Sequence, residues 1–136
     1  IFARKCVGLR WPSAQAGVLE VNRLIHAVVD LPAWPDIHML CAYFHTSSGL
    51  DDSNVSIMRK IGQRCEQLSG MTLVAADWNM SAQLVESTGL PRCLAMTLST
   101  PKHATCLTAT SQSTIDFFML SDALVQATEF VEVDHF

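Results

Sequence analysis

Apolar residues recur at two different spacings along this chain, and each spacing marks an element. Val55, Met58, Ile61, Cys65 and Leu68 return every three or four residues, while Arg59, Lys60, Gln63, Arg64, Glu66 and Gln67 take the other faces. That is the pattern of an amphipathic helix. Asp51, Asp52 or Ser53 can cap its start, where backbone N–H groups lack partners, and Gly70 can take a left-handed position after its end. Short apolar runs bounded by polar residues predict buried strands instead: Ile37 to Phe44 (IHMLCAYF), Met71 to Ala76, Ile115 to Leu120 (IDFFML) and Thr128 to Val133. Phe2, Cys6, Val7, Leu9 and Trp11 suit a first strand ending at Pro12. Ala16 to Val29 fits helical spacing, yet its β-branched residues also suit two strands. Weaker signals predict a short helix over Ser81 to Ser87, strands at Cys93 to Leu98 and Ala104 to Leu107, and a helical turn over Ser121 to Val125. A helix followed directly by a strand points to a layered α/β arrangement.

Composition narrows the function classes. The 136 residues suit one small domain or part of a larger one. Hydrophobic residues make up 49% and charged residues 16%, which argues against long disorder. A formal charge of −4 gives no general electrostatic grip on nucleic acid, although a local groove can still be basic. The five cysteines are widely spaced, with no CxxC pair, so reduced, buried thiols in an intracellular protein are expected. No apolar run reaches the length of a transmembrane helix.

Polar residues interrupt the apolar runs at four places: Tyr43-Phe44-His45, Asp77-Trp78-Asn79, Asp116 within IDFF, and Asp134-His135. Asp77 has two readings, a cap for the helix Ser81 to Ser87 or a site residue at the carboxyl end of a strand, where ligands gather in α/β proteins. Asp116, flanked by Ile115, Phe117 and Phe118, is expected to be buried and to need a partner, and a histidine such as His135 is a natural one. Asp77, Asn79 and Asp134 make an oxygen-rich set suited to magnesium or manganese. P-loop, GxSxG and HExxH patterns are absent.

In this order and spacing, the motifs resemble the carboxyl-terminal half of the endonuclease/exonuclease/phosphatase (DNase I-like) superfamily, and retroelement-type and abasic-site-nuclease-like endonuclease domains in particular. Ala76-Asp77-Trp78-Asn79 is similar to its GDFN. Ser113 to Ser121 (STIDFFMLS) is similar to its S-x-IDY strand, Val133-Asp134-His135 to its SDH, and Cys41 to His45 to its N-x-Y-x-P strand. The resemblance implies a partial four-layer α/β sandwich with the first half largely missing. It forms a single partial domain over 1–136, with a motif-bearing core from about Ile37 onward. It further implies a magnesium- or manganese-dependent phosphodiesterase, a nuclease acting on DNA, or alternatively a phosphatase for another phosphate ester such as a small molecule or lipid. Asp77 would activate the attacking water, Asn79 and His135 would contact the phosphate, Asp116 would orient His135, Tyr43 would stand near the phosphate, and Asp134 with Asp77 would approach the metal.

The departures bear on activity. Ala76 stands for the family's glycine, Trp78 for its phenylalanine, His45-Thr46 for a proline and often an asparagine, and Val133 for a serine. The family's glutamate ligand has no counterpart, since Glu20 lacks the residues that surround it there. The isolated chain is therefore expected to be inactive without the amino-terminal half of the domain, or to be a noncatalytic remnant or interaction module.

Overall fold

The apolar runs become strands and the amphipathic stretch a helix in the computed structural model, which describes residues 8–12 and 18–127. The elements in chain order are β1 (Gly8–Arg10), β2 (Val18–Glu20), β3 (Leu24–Asp30), β4 (Ile37–Tyr43), α1 (Asp52–Cys65), β5 (Met71–Asp77), α2 (Ala82–Ser87), α3 (Leu90–Cys93), β6 (Met96–Ser99), β7 (Cys106–Leu107), β8 (Gln112–Ser113), β9 (Asp116–Ser121) and α4 (Asp122–Val125). The strand expected over Thr128 to Val133 and the start of the first expected strand lie outside the described residues. Of the two readings of Ala16 to Val29, two strands prevail. Val21 to Arg23 form the turn between β2 and β3, with Asn22 left-handed at φ 58°.

Among the described residues, seven strands form one sheet in the order β1-β3-β4-β5-β9-β6, with β2 sharing β1's edge of β3. β4 and β5 are parallel, joined through α1, whereas β5–β9 and β3–β4 are antiparallel. A small β7–β8 hairpin stands apart. The segment expected as a strand from Cys93 begins instead as helix α3, with Pro91 near its start, where the missing N–H costs nothing; the strand starts at Met96.

Alternation gives the sheet two faces. Leu24, Leu40, Ala42, Val74, Ala76, Phe117 and Met119 point to one side and form the core with Ile57, Met58 and Ile61 of α1. A polar clasp also fastens α1 to this face. Arg64 Nε donates to Nδ1 of His26 at 3.0 Å, and His26 Nε2 lies 3.2 Å from His38 Nδ1. Arginine can only donate, so neutral His26 carries its proton on Nε2 and gives it to His38. Burial chiefly, then the charges of Arg64 and His38, hold His26 down to about 4. The opposite face is apolar and half-buried at Ile25, Met39, Cys41, Leu73, Ala75 and Phe118. Cys41, Cys65, Cys93 and Cys106 are free thiols, and burial pushes Cys65 up to about 11. Cys93, expected to be buried, is exposed at the end of α3. Among the described residues, no helix is long and apolar enough to cross a membrane.

Candidate active site

Three strands deliver three polar side chains to one place. In the parallel β4–β5 ladder Tyr43 is the partner of Asp77, and in the antiparallel β5–β9 ladder Asp77 is the partner of Asp116. Directly paired residues share a face. Tyr43, Asp77 and Asp116 therefore form a row across the sheet, at the carboxyl ends of the two parallel strands and on the face away from α1.

The chain just beyond each strand is tightly fixed. Trp78 is fully buried, stacked between Phe44 (centroids 4.9 Å) and Phe117 (5.3 Å), and its Nε1 donates to the Phe117 carbonyl at 3.0 Å. The indole thus pins the exits of β4 and β5 to the entry of β9. Asn79 is left-handed at φ 50°, a conformation asparagine tolerates better than most residues. Its backbone N–H donates to Asp77 Oδ1 at 3.2 Å and its side-chain Nδ2 to the Phe44 carbonyl at 2.9 Å. From the first turn of α1, buried Asn54 accepts from the His45 N–H and donates to the His45 and Gly49 carbonyls, fixing the loop after β4. On the β9 side, Thr105 Oγ1 accepts the N–H groups of Ile115 and Asp116, each at 3.1 Å.

Electrostatics sets Asp77 apart. Burial first, and then the charge of Asp116, push its carboxyl up, while the hydrogen bonds from Asn79 pull the other way. Two carboxylates paired across a ladder without an intervening cation repel each other. As oxygen donors they suit a hard divalent ion.

The structure brings Tyr43, Asp77 and Asp116 together, with Asn79 bracing Asp77 from the following turn. His135 and Asp134 lie outside the described residues. The cap reading of Asp77 fails, because Ser81 caps α2 with its own side chain, accepting from the Leu84 N–H at 3.2 Å. Asp116 is exposed, against the burial expected from its neighbours. It opens β9, and alternation turns Phe117 and Met119 into the core while Asp116 faces away. Tyr43 is 45% exposed and is not a core residue. Sequence reasoning missed Arg23, whose guanidinium carbon lies 4.8 Å from the Tyr43 ring centroid and whose carbonyl accepts the Tyr43 N–H at 2.8 Å. The only sequence signal for it was the polar pair Asn22-Arg23 breaking an apolar stretch.

No family model matches the chain, and no curated protein is significantly similar to it. Solved structures are similar in fold. The endonuclease domain of TRAS1, a telomere-specific non-LTR retrotransposon, superposes with a TM-score of 0.66 at 14% identity, over 90% of this chain and 59% of that one. TDP2 of D. rerio, complexed with a single-strand DNA product, gives 0.58 at 14% identity, over 93% and 58%. The catalytic domain of human Nocturnin, with bound sulfate, gives 0.51 at 10% identity, over 85% and 46%. The chain thus spans between 46% and 59% of the length of these structures, and its fold is similar to a part of theirs, a partial DNase I-like α/β fold.

Proposed function

We propose that this chain is the motif-bearing part of a metal-dependent phosphodiesterase, a nuclease that hydrolyses a DNA backbone. The observation that carries this reading is the row Tyr43–Asp77–Asp116, with Asn79 fixed beside it. A carboxylate whose pKa is raised, held rigidly at the carboxyl end of a parallel strand, is suited to take a proton from water. The nuclease branch is supported by the resemblance to the TRAS1 endonuclease domain and by exposed Tyr43 at the end of the row.

In this reading, Asp77 orients a water in line with a phosphodiester and accepts its proton as the new P–O bond forms and the leaving oxygen departs. Asn79, whose side chain donates to the Phe44 carbonyl and also hydrogen-bonds Asp77, turns an amide N–H to a phosphate oxygen when substrate binds. Tyr43 presents its phenol to the same phosphate. His135 donates to the phosphate, with Asp116 as the carboxylate that orients its ring. Asp77 and Asp134 would hold magnesium or manganese, which supplies neutralisation of the charge developing on the phosphate oxygens. The raised Asp77 carboxyl fits that assignment, since a bound cation relieves its repulsion with Asp116. Two carboxylates are a sparse donor set, and no group of three or more His, Cys, Asp or Glu able to hold a metal occurs among the described residues. The site in this reading is completed by residues beyond those described, and the 136-residue chain alone has little or no activity.

The test is cleavage of supercoiled plasmid, of abasic duplex DNA and of a generic phosphodiester with magnesium or manganese. It compares this chain with the longest product of its reading frame. Cleavage by the longer product, lost in Asp77→Ala, is expected. Absence of cleavage by that product rules out the nuclease. Robust turnover by the 136-residue chain shows instead that its own acids complete the site.

A further inference from the structure

The polar row continues past Tyr43. β3 and β4 pair with Leu24 opposite Ala42, so the antiparallel register sets Arg23 opposite Tyr43, and the Arg23 carbonyl accepts the Tyr43 N–H at 2.8 Å. Directly opposed residues share a face. Arg23 thus extends the row on the face away from α1, in the order Arg23, Tyr43, Asp77, Asp116. The preceding turn sets its backbone, since Asn22 is left-handed and the Arg23 N–H donates to the Glu20 carbonyl at 3.1 Å.

The side chain is placed unusually for a cation. Among the described residues it forms no ion pair, and its buried Nη1 has no hydrogen-bond partner. What the guanidinium meets is the Tyr43 ring, 4.8 Å from its carbon to the centroid. A partly desolvated cation over an aromatic face binds it more firmly than one in open water. The contact matters because Tyr43 is half-exposed, and exposed side chains otherwise change rotamer within nanoseconds. Neighbouring strands stand about 4.8 Å apart, so two such spacings separate Arg23 from Asp77 and three separate it from Asp116. Its charge acts weakly on those acids across that distance beside solvent, whereas it touches Tyr43 directly. The influence of Arg23 on the site therefore passes through the phenol.

We propose that Arg23 is a positioning residue: by covering one face of Tyr43 it holds the ring in one rotamer, so that the hydroxyl meets the phosphate in a fixed place. The inference rests on the nuclease reading of Tyr43 and adds to it a residue that none of the motifs contains.

Tyr43 is the only tyrosine in the chain, so 3-fluorotyrosine labelling reports on this ring alone. Arg23→Gln should free the ring, moving the fluorine resonance toward that of free 3-fluorotyrosine and narrowing it by about twofold or more. Arg23→Met, which keeps the apolar stem, should do the same with the cooperative urea transition retained. Arg23→Lys restores a cation without the flat fork and should recover part of the wild-type line. A resonance unchanged in Arg23→Gln or Arg23→Met overturns the proposal. In the longer, cleaving product, Arg23→Gln should lower kcat about three- to tenfold with KM nearly unchanged, the scale of one cation–π contact. Once Tyr43→Phe has removed the hydroxyl, adding Arg23→Gln should cost nothing further, and additive losses would overturn the proposal by showing that Arg23 acts on its own. Absence of cleavage counts against the nuclease reading alone, because the fluorine spectra still decide whether Arg23 holds the ring.

Discussion

Lowering the pH should detach α1 from the sheet through a single proton. His26 has no solvent-accessible surface, and its Nδ1 is occupied by the Arg64 Nε–H at 3.0 Å. Protonating His26 would therefore place two donors against each other in the core. The pKa falls from an ordinary value of 6.5 to about 4 on folding. The unfolded chain binds this proton more readily, so stability is fully present above about pH 6.5 and is lost as the pH falls toward 4. At about 1.4 kcal/mol per pKa unit, the shift is worth roughly 3 kcal/mol, most of it gone by about pH 4.5. His38, also held below its ordinary value by burial, adds a loss of the same sign. The assay is urea unfolding, followed by circular dichroism at a series of pH values, for the wild type and His26→Gln. The glutamine can still accept from Arg64 but does not titrate here. The substitution should cost about 1–2 kcal/mol at neutral pH through imperfect filling of the site, yet the variant should lose roughly 3 kcal/mol less on acidification. Parallel pH profiles for the two proteins would refute the reasoning, because the proton would then bind elsewhere.

Asp77→Asn should raise the thermal midpoint at neutral pH by a few degrees, since it removes the charge that burial and Asp116 disfavour. The folded pKa lies above the unfolded one, so the wild type gains stability as the pH falls through that range, and the gap between the two proteins should close in acid. A gap that is constant with pH would argue against repulsion as its cause. Trp78→Ala should cost on the order of 3–5 kcal/mol, as expected for emptying a wholly buried aromatic site. It also leaves the Phe117 carbonyl without its indole donor, and a loss below about 2 kcal/mol by urea unfolding would mean that Phe44 and Phe117 close the gap.

Local chemistry made the central elements legible. The three-and-four spacing from Val55 to Leu68 can be buried only by a helix, and the runs before and after it are too short for anything but strands, so β4, α1 and β5 follow directly. Ala16 to Val29 could not be resolved from spacing, because Val18, Val21, Leu24, Ile25 and Val28 satisfy both periods; pairing with β1 and β4 decides it. The motif residues Tyr43, Asp77 and Asp116 were found by their types and order, but their alignment in a row depends on strand register, which no local signal carries. Asp116 was misjudged for that reason: apolar neighbours in sequence suggested burial, while position at a strand's end decides exposure. Nothing in the sequence singles out His26 and His38, since nothing near them announces Arg64 from across the core.

β5 holds a parallel ladder with β4 on one side and an antiparallel ladder with β9 on the other, and both run as far as Asp77. Its amides are donated along both edges and should exchange with solvent among the slowest in the molecule, opening only when the sheet itself comes apart. The proposed water-activating carboxylate is the last residue of that strand, and Trp78 closes the ladder immediately beyond it. Local fraying, which blurs many strand ends, is thus denied to this one. The atoms proposed to meet the substrate keep their places for as long as the sheet is folded, and adaptation to different substrates falls instead to the loops around them.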